Sequence, residues 1–278
     1  MISKPTREQL GVLNTTERVA FELADLTLRH LRPVSERWNS AFMGLTIWGA
    51  GGRRMDVRGL DEHLGGYDRQ SRVLLVANHR SFFDFYVITA LVYWRTKMTR
   101  RVLCPVRSTF FYDHPLGPAV NMVMSGMSMF PPILRDPKRG TFNRYSLERC
   151  VSELETPGTT MGLHPEGTRN KGDDPYSFLP AQPGVGKIAL DAKHAHVHPV
   201  FIHGLSNSLP EEFRRNWLRP IDEHPVDISF GPEIDLEDLR AQGSRPANTK
   251  RAADRMLLGI KKLSEQQRAM RTALDAKR

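Results

Sequence analysis

Residues 72–95 read RVLLVANHRSFFDFYVITALVYWR, and this stretch decides the fold. Val73 to Ala77 is a short apolar run of buried-strand character. The chain turns at Asn78-His79-Arg80-Ser81 and then continues as an apolar helix from Phe82 to Trp94. Ser81 is expected to be its N-cap, since a serine hydroxyl can accept from the free N–H groups of a first turn. A helix apolar on nearly every side must be buried. A buried strand followed directly by a buried helix is the repeating unit of an open α/β sheet, whose ligands sit beyond the carboxyl ends of the strands. His79 lies just past such an end, and Asp84 lies in the first helical turn.

An imidazole exchanges protons near neutral pH. A carboxylate on its second nitrogen fixes the tautomer and stabilises the imidazolium. The turn folds the chain back, so His79 and Asp84 can meet and act as a general base on a hydroxyl. The same spacing also arises from a loop histidine followed by an aspartate that complements the helix dipole. H-x4-D alone does not decide between the two.

A second stretch does. Residues 159–169 read TTMGLHPEGTR, a strand from Thr160 to Leu163 and then a polar loop. NH-x4-D followed some eighty residues later by PEGTR resembles the glycerolipid acyltransferases typified by 1-acylglycerol-3-phosphate O-acyltransferases, over roughly Met55 to Leu236. The resemblance implies acyl transfer from acyl-CoA or acyl carrier protein to a hydroxyl of a lysophosphatidate-like acceptor, as in phospholipid synthesis. His79 would be the base and Asp84 its orienting carboxylate, with no metal, no cofactor and no covalent intermediate. Glu166, Gly167, Thr168 and Arg169 would serve the acceptor. The forked guanidinium of Arg169 suits a phosphate, Gly167 permits close backbone approach, and Glu166 is expected to orient neighbours rather than carry protons.

The family also has an arginine after a short apolar strand, associated with the acceptor phosphate, which aligns with Arg135. Here Leu134 stands where an aspartate is common, and Asp136, Lys138, Arg139 and Arg144 are nearby alternatives. Gln182 stands where many relatives carry lysine; either Lys187 supplies that charge one turn on, or the contact is absent. Glycerol 3-phosphate or another lysolipid would be an alternative acceptor, and a non-catalytic lipid-binding protein is the reading from a different class.

The rest of the chain fits a single α/β domain with a mixed or largely parallel sheet flanked by helices. Amphipathic N-terminal helices occupy 1–52, the acyltransferase domain 53–241, and a basic C-terminal helix 246–278, with a linker from Gln242 to Lys250. Thr15 to Leu31 is expected to turn Val19, Leu23, Leu26 and Leu31 to one face. Asn39 to Ala50 is too short to span a bilayer but long enough to lie in its surface. Edge-strand character at Met55 to Leu60 and strands at Arg101 to Val106, Val197 to Ile202 and Val226 to Phe230 complete the sheet. Ala119 to Leu134 carries four methionines and reads as a core helix running into a strand, or as contact for an acyl chain.

Composition narrows the remaining classes. The two cysteines, Cys104 and Cys150, give no disulfide framework and no zinc site. The N-terminal residues lack the apolar run of a signal peptide. His194, His196 and His198 alternate but have no ligand beside them in sequence, so they are read as surface or strand-end histidines. The net charge is +9, and +6 of it falls within Pro246–Arg278, where nine Lys/Arg face three Asp/Glu. A basic tail suits an anionic partner. No aromatic residue follows Phe230, which disfavours a nucleic acid. The expected place is therefore cytoplasmic, peripheral to the inner face of the cell membrane. In the final helix Met256, Ile260, Leu263, Met270 and Leu274 form a heptad-like stripe, able to dock on the body or to pair with a second copy.

Overall fold

The computed structural model of the chain describes residues 4–98, 101–106 and 110–276. Six strands form one sheet: β1 Met55–Arg58, β2 Val73–Ala77, β3 Arg101–Leu103, β4 Thr159–Leu163, β5 His196–His203 and β6 Val226–Phe230. Their order is β1-β6-β5-β2-β4-β3. The neighbours β5-β2-β4-β3 are parallel, β6 runs antiparallel to β5, and β1 is parallel to β6. The sheet is thus mixed and mostly parallel, and the architecture is α/β.

The helices before the central strand are α1 Arg7–Gly11, α2 Thr15–His30, α3 Arg32–Trp38, α4 Gly44–Gly51 and α5 Leu60–Leu64, with a π-helical turn at Asn39–Met43. After it come α6 Asp84–Arg95, α7 Gly117–Ser125, α8 Gly140–Leu154, α9 Pro183–Asp191, α10 Leu209–Leu218, α11 Glu237–Gln242 and α12 Pro246–Asp275. β2 and β4 are buried at every residue, as expected of strands covered on both faces. α6 is buried from Asp84 to Tyr93.

Two sequence expectations are corrected, at Ser81 and in the linker before the last helix. Ser81 does not cap the helix. α6 begins at Asp84, and Ser81 Oγ instead accepts from Phe83 N inside the preceding turn (3.1 Å).

In α2 the core face is Ala20, Phe21, Ala24 and Leu28, whereas Val19, Leu23, Leu26 and Leu31 are exposed. Both faces are apolar, and aromatic packing decides between them. Phe21 stacks on Phe130 and meets Phe142 and Tyr145 edge-on. On the same side Asp25 pairs with the buried Arg149 (2.7 Å), which also holds Glu153 (2.9 Å).

α12 starts at Pro246, where the basic helix was expected to begin, and the interval read as a linker shrinks to Gly243–Arg245. Its Met256, Ile260 and Leu263 are buried, in a helix that packs on α9 and β5. That part of the heptad stripe is used within the chain. Gln267 is buried as well and donates to Asp227 (2.7 Å), which also pairs with Arg271. Arg271 and, through Asp238, Arg255 are thus paired with the body, whereas Arg251, Lys261, Lys262 and Arg268 are exposed; Lys277 and Arg278 lie outside the described residues.

A buried ion pair fixes the flank nearest the carboxyl rim. Arg54, ahead of β1, pairs with Glu212 of α10, both essentially solvent-free. Arg54 also donates to the carbonyls of Ala50 and His224, and Glu212 accepts from Ser206 N. Removing one partner of such a pair strands the other charge, at a cost of about 3–5 kcal/mol. Glu212→Ala should therefore lower unfolding stability by about that amount in chemical denaturation. A loss below about 1 kcal/mol, the level of an exposed pair, would show that Arg54 is not held in this way.

Candidate active site

Three loops meet at the carboxyl ends of adjacent parallel strands: residues 78–83 after β2, 164–182 after β4 and 204–208 after β5. The sequence singled out the first two. The turn after β2 is bound to its neighbours through Asn78, whose amide pairs both ways with the backbone of Ile202 (2.8 Å each). Asn78 thus extends the β2–β5 pairing one residue past the strand and sets where His79 begins.

His79 is held by its backbone before its ring is considered. Its N–H donates to Glu166 Oε1 (2.9 Å), and its carbonyl accepts from Asn170 N (2.8 Å). Glu166 Oε2 accepts from Leu179 N (2.8 Å). Burial raises the pKa of Glu166, and the Leu179 and His79 amides oppose that rise. This carboxylate is committed to orienting two backbone segments. Gly167 lies at φ +67°, in the left-handed region, and a Cβ there would meet Gln182.

His79 Nδ1 lies 3.2 Å from Asp84 Oδ2. The same oxygen accepts from Arg80 N and Ser81 N, both at 2.8 Å. Three donors on one oxygen lock the carboxylate, and the turn geometry that sequence spacing suggested is present. Burial, and after it the charge of Arg169, pushes His79 down to about 3. Burial likewise pushes Asp84 up to about 6, against the pull of His164 and the two backbone donors. At neutral pH the pair is therefore a neutral imidazole beside a carboxylate. With Nδ1–H donated to Asp84, Nε2 keeps a free lone pair.

Beside the pair is a cavity of about 480 Å³ whose lining includes Asp84, Arg80, Arg169, Lys171, His203 and Asn207. Arg80, Arg169 and Lys171 place three basic side chains on one cavity, a field that suits an anion. Arg169 Nη1 donates to Asn207 Oδ1 (2.7 Å), and the same oxygen accepts from Phe82 N (2.8 Å). Asn207 thus couples the first and second loops through the third.

The other sequence candidates sit elsewhere. Thr168 is exposed and does not line the cavity. Arg135 is exposed beyond the segment in which Pro132 bridges Val106, and it also stays off the cavity lining. Gln182 closes the PEGTR loop by donating its N–H to Pro165 O (2.8 Å). Lys187 pairs with Asp191 one turn on (2.6 Å) instead of supplying the charge expected of it. Of the alternating histidines, His194 pairs with Glu155, while His196 and His198 both meet Tyr67, His196 also pairing with Glu233 and His198 being buried rather than at the surface; among the described residues the three form no metal-binding group.

Sequence reasoning passed over Arg80, Lys171 and Asn207 as cavity residues. Arg80 and Lys171 flank recognised motifs and had that proximity as a signal. Asn207 had none, because only the β4–α9–β5 crossover brings it to the rim.

The family model described as Acyltransferase matches residues 57–203. No curated protein matches the chain. The matched span opens in β1, ends with β5 and carries both motif loops. Covering more than half of the sequence, this match places the chain in the glycerolipid acyltransferase family, as an enzyme of the O-acyltransferase type.

Proposed function

We propose that this acyltransferase moves a fatty acyl group from acyl-CoA or acyl carrier protein to the free hydroxyl of a lysophosphatidate, with His79 as general base. The observation that carries the mechanism is the Nδ1–Oδ2 contact of 3.2 Å to a carboxylate that two backbone amides hold in place. Nε2 takes the acceptor's hydroxyl proton while the oxygen attacks the thioester carbonyl. Asp84 stabilises the imidazolium so formed. As the tetrahedral intermediate collapses, the C–S bond breaks and the imidazolium returns its proton to the thiolate. The products are an ester and a thiol, and His79 is regenerated.

His79→Ala should lower kcat by at least the 10²–10⁴-fold typical of a general base, with the far-UV spectrum unchanged. Asp84→Asn should fall steeply as well, through loss of imidazolium stabilisation. The wild-type rate should decline as pH drops through about 6, where Asp84 gains its proton and ceases to support the ring. A folded His79→Ala protein with near-normal kcat would refute the mechanism.

The cavity cations support a phosphate-bearing acceptor, with Arg169 as the principal contact and Arg135 as an outer one. A charge-assisted hydrogen bond contributes about 1.5–3 kcal/mol. Arg169→Ala should therefore raise the acceptor KM roughly ten- to hundredfold, with less change in the donor KM and a smaller effect from Arg135→Ala. Movement of the donor KM alone would reassign these arginines to the donor. Steady-state assays over a panel of lysolipids, glycerol 3-phosphate and both donor types separate the alternative acceptors.

We further propose that the protein works at an anionic membrane surface, where its lipid substrates reside. Among the described residues no helix is long and apolar enough to cross a membrane. The N-terminal helices instead present an apolar face. Leu26 is 56% exposed, Leu45 64% and Trp48 52%, and Val34, Trp38 and Phe42 are exposed with them. Ile47, between Leu45 and Trp48, is buried. Trp48 meets Trp217 of α10, extending the face. Each such side chain contributes about 1.5–3 kcal/mol on burial. Leu26→Asp with Leu45→Asp should abolish flotation with vesicles containing anionic lipid and leave the fold intact. Unchanged flotation would remove these helices as the anchor.

A further inference from the structure

His164 has no part in the mechanism so far, yet its ring lies flat against that of His79. The ring centroids are 3.8 Å apart and the planes differ by 7°. The strand register explains the meeting. Val76 on β2 is paired with Leu163 on β4, so the next residues, Ala77 and His164, emerge side by side. His164 Nδ1 lies 3.0 Å from Ala77 O. A carbonyl only accepts, so Nδ1 carries the hydrogen and the tautomer is fixed. Behind it, Phe85 of α6 lies 4.2 Å away, ring to ring. Phe85 can take that position because residue 162 is glycine; a Cβ there would come within 2.4 Å of the Phe85 ring. Phe85, His164 and His79 thus form a column of rings, with Asp84 at the edge of the last.

One alternative use of these groups fails on geometry. A ligand atom from each of His79, Asp84 and His164 lies within 4.8 Å of the others, the separation of a metal-binding group. A metal bound by histidine lies about 2.0–2.1 Å from the nitrogen, along a lone pair in the ring plane. The lone pairs of two stacked rings point along parallel planes, so an ion cannot lie in both. The arrangement is a stack and not a chelate.

We propose that His164 is the positioning residue of the base: a neutral imidazole that holds the plane of His79 so that its Nδ1 stays aimed at Asp84, and that offers its face to the imidazolium formed during transfer. This rests on the reading of His79 as the base. Without the stack, Asp84 fixes one ring atom and leaves rotation about the contact unrestrained. With it, edge and face are both held. A ring face also attracts a cation lying over it. Burial, and after it the proximity of His79, pushes His164 itself down to about 3, so at neutral pH it is an uncharged ring. The charged and titratable groups around His79 are Asp84 at its edge, His164 on its face, Arg169 across the cavity and Arg80 in its own turn, with Glu166 on its backbone.

The test compares His164→Ala, which removes the ring, with His164→Phe, which keeps the face and removes both nitrogens. His164→Ala should lower kcat on the order of ten- to a hundredfold, the effect of a misplaced reacting group. Both KM values should stay close to wild type. His164→Phe should restore most of kcat. Phe85→Leu, which loosens the column from behind, should give a smaller fall of the same kind and keeps the question open to test if His164→Ala does not fold. Wild-type kcat in folded His164→Ala would overturn the proposal. So would a His164→Phe protein as impaired as His164→Ala, which would mean that a nitrogen of His164 acts rather than its face. Should the wild type transfer no acyl group to any acceptor, the functional reading falls, and the stack is judged alone by ring-nitrogen NMR of His79. A single Nδ1–H tautomer that becomes mixed in His164→Ala supports the stack; the same tautomer in both proteins overturns it.

Discussion

The site depends on the Glu166 carboxylate more than on either member of the pair it serves. One oxygen accepts from the backbone of His79 and the other from the backbone of Leu179. Through those two bonds a buried charge ties the loop after β2 to both ends of the loop after β4. A buried carboxylate without donors is costly, so it is stable here only when the two loops are in register. Together with the bond from Asn170 N to His79 O, it fixes both backbone polar groups of His79. The ring is then oriented from a base that cannot slide.

Around this clamp the parallel sheet does the rest. Because β5, β2 and β4 are neighbours and parallel, their following loops emerge at one rim. Asn78 borrows a strand-like pairing with Ile202, and Asn207 returns the favour by accepting from both Phe82 and Arg169. The result sets a neutral base and its carboxylate beside a cavity carrying three basic side chains. That division suits a reaction in which a hydroxyl must lose a proton while a phosphate is held still. The two needs are in tension, since a cation near the ring disfavours the imidazolium, and Arg169 is one cause of the lowered His79 pKa.

The outer helices show how the same residue types serve opposite ends. α2 is apolar on two faces: Phe21 and its neighbours close the core, while the stripe with Leu23 and Leu26 faces out. α12, whose apolar stripe could dock on the body or pair with a second copy, is held on the body by buried Met256, Ile260 and Leu263 and by polar bonds to β6. The N-terminal helices thus leave an apolar face exposed, while the last helix takes one of the two courses open to its stripe and docks on the body.

The sequence by itself determined the local elements and which polar residues stand at the strand ends. Runs such as Val73–Ala77 and Val226–Phe230 are strands because they are short, apolar and bounded by turns, and those are properties of adjacent residues. His79 and Asp84 were legible for the same reason: five residues and one turn separate them, so no distant part of the chain had to be known. What lay beyond local reach was decided by tertiary structure. Which face of α2 is buried depended on Phe130, Phe142 and Arg149, more than a hundred residues away. The use of Arg169 and not Arg135 at the cavity depended on where the third loop came to rest. The stacking of His164 on His79 follows from the pairing of β2 with β4, and register between distant strands is a fact of packing that no single stretch encodes.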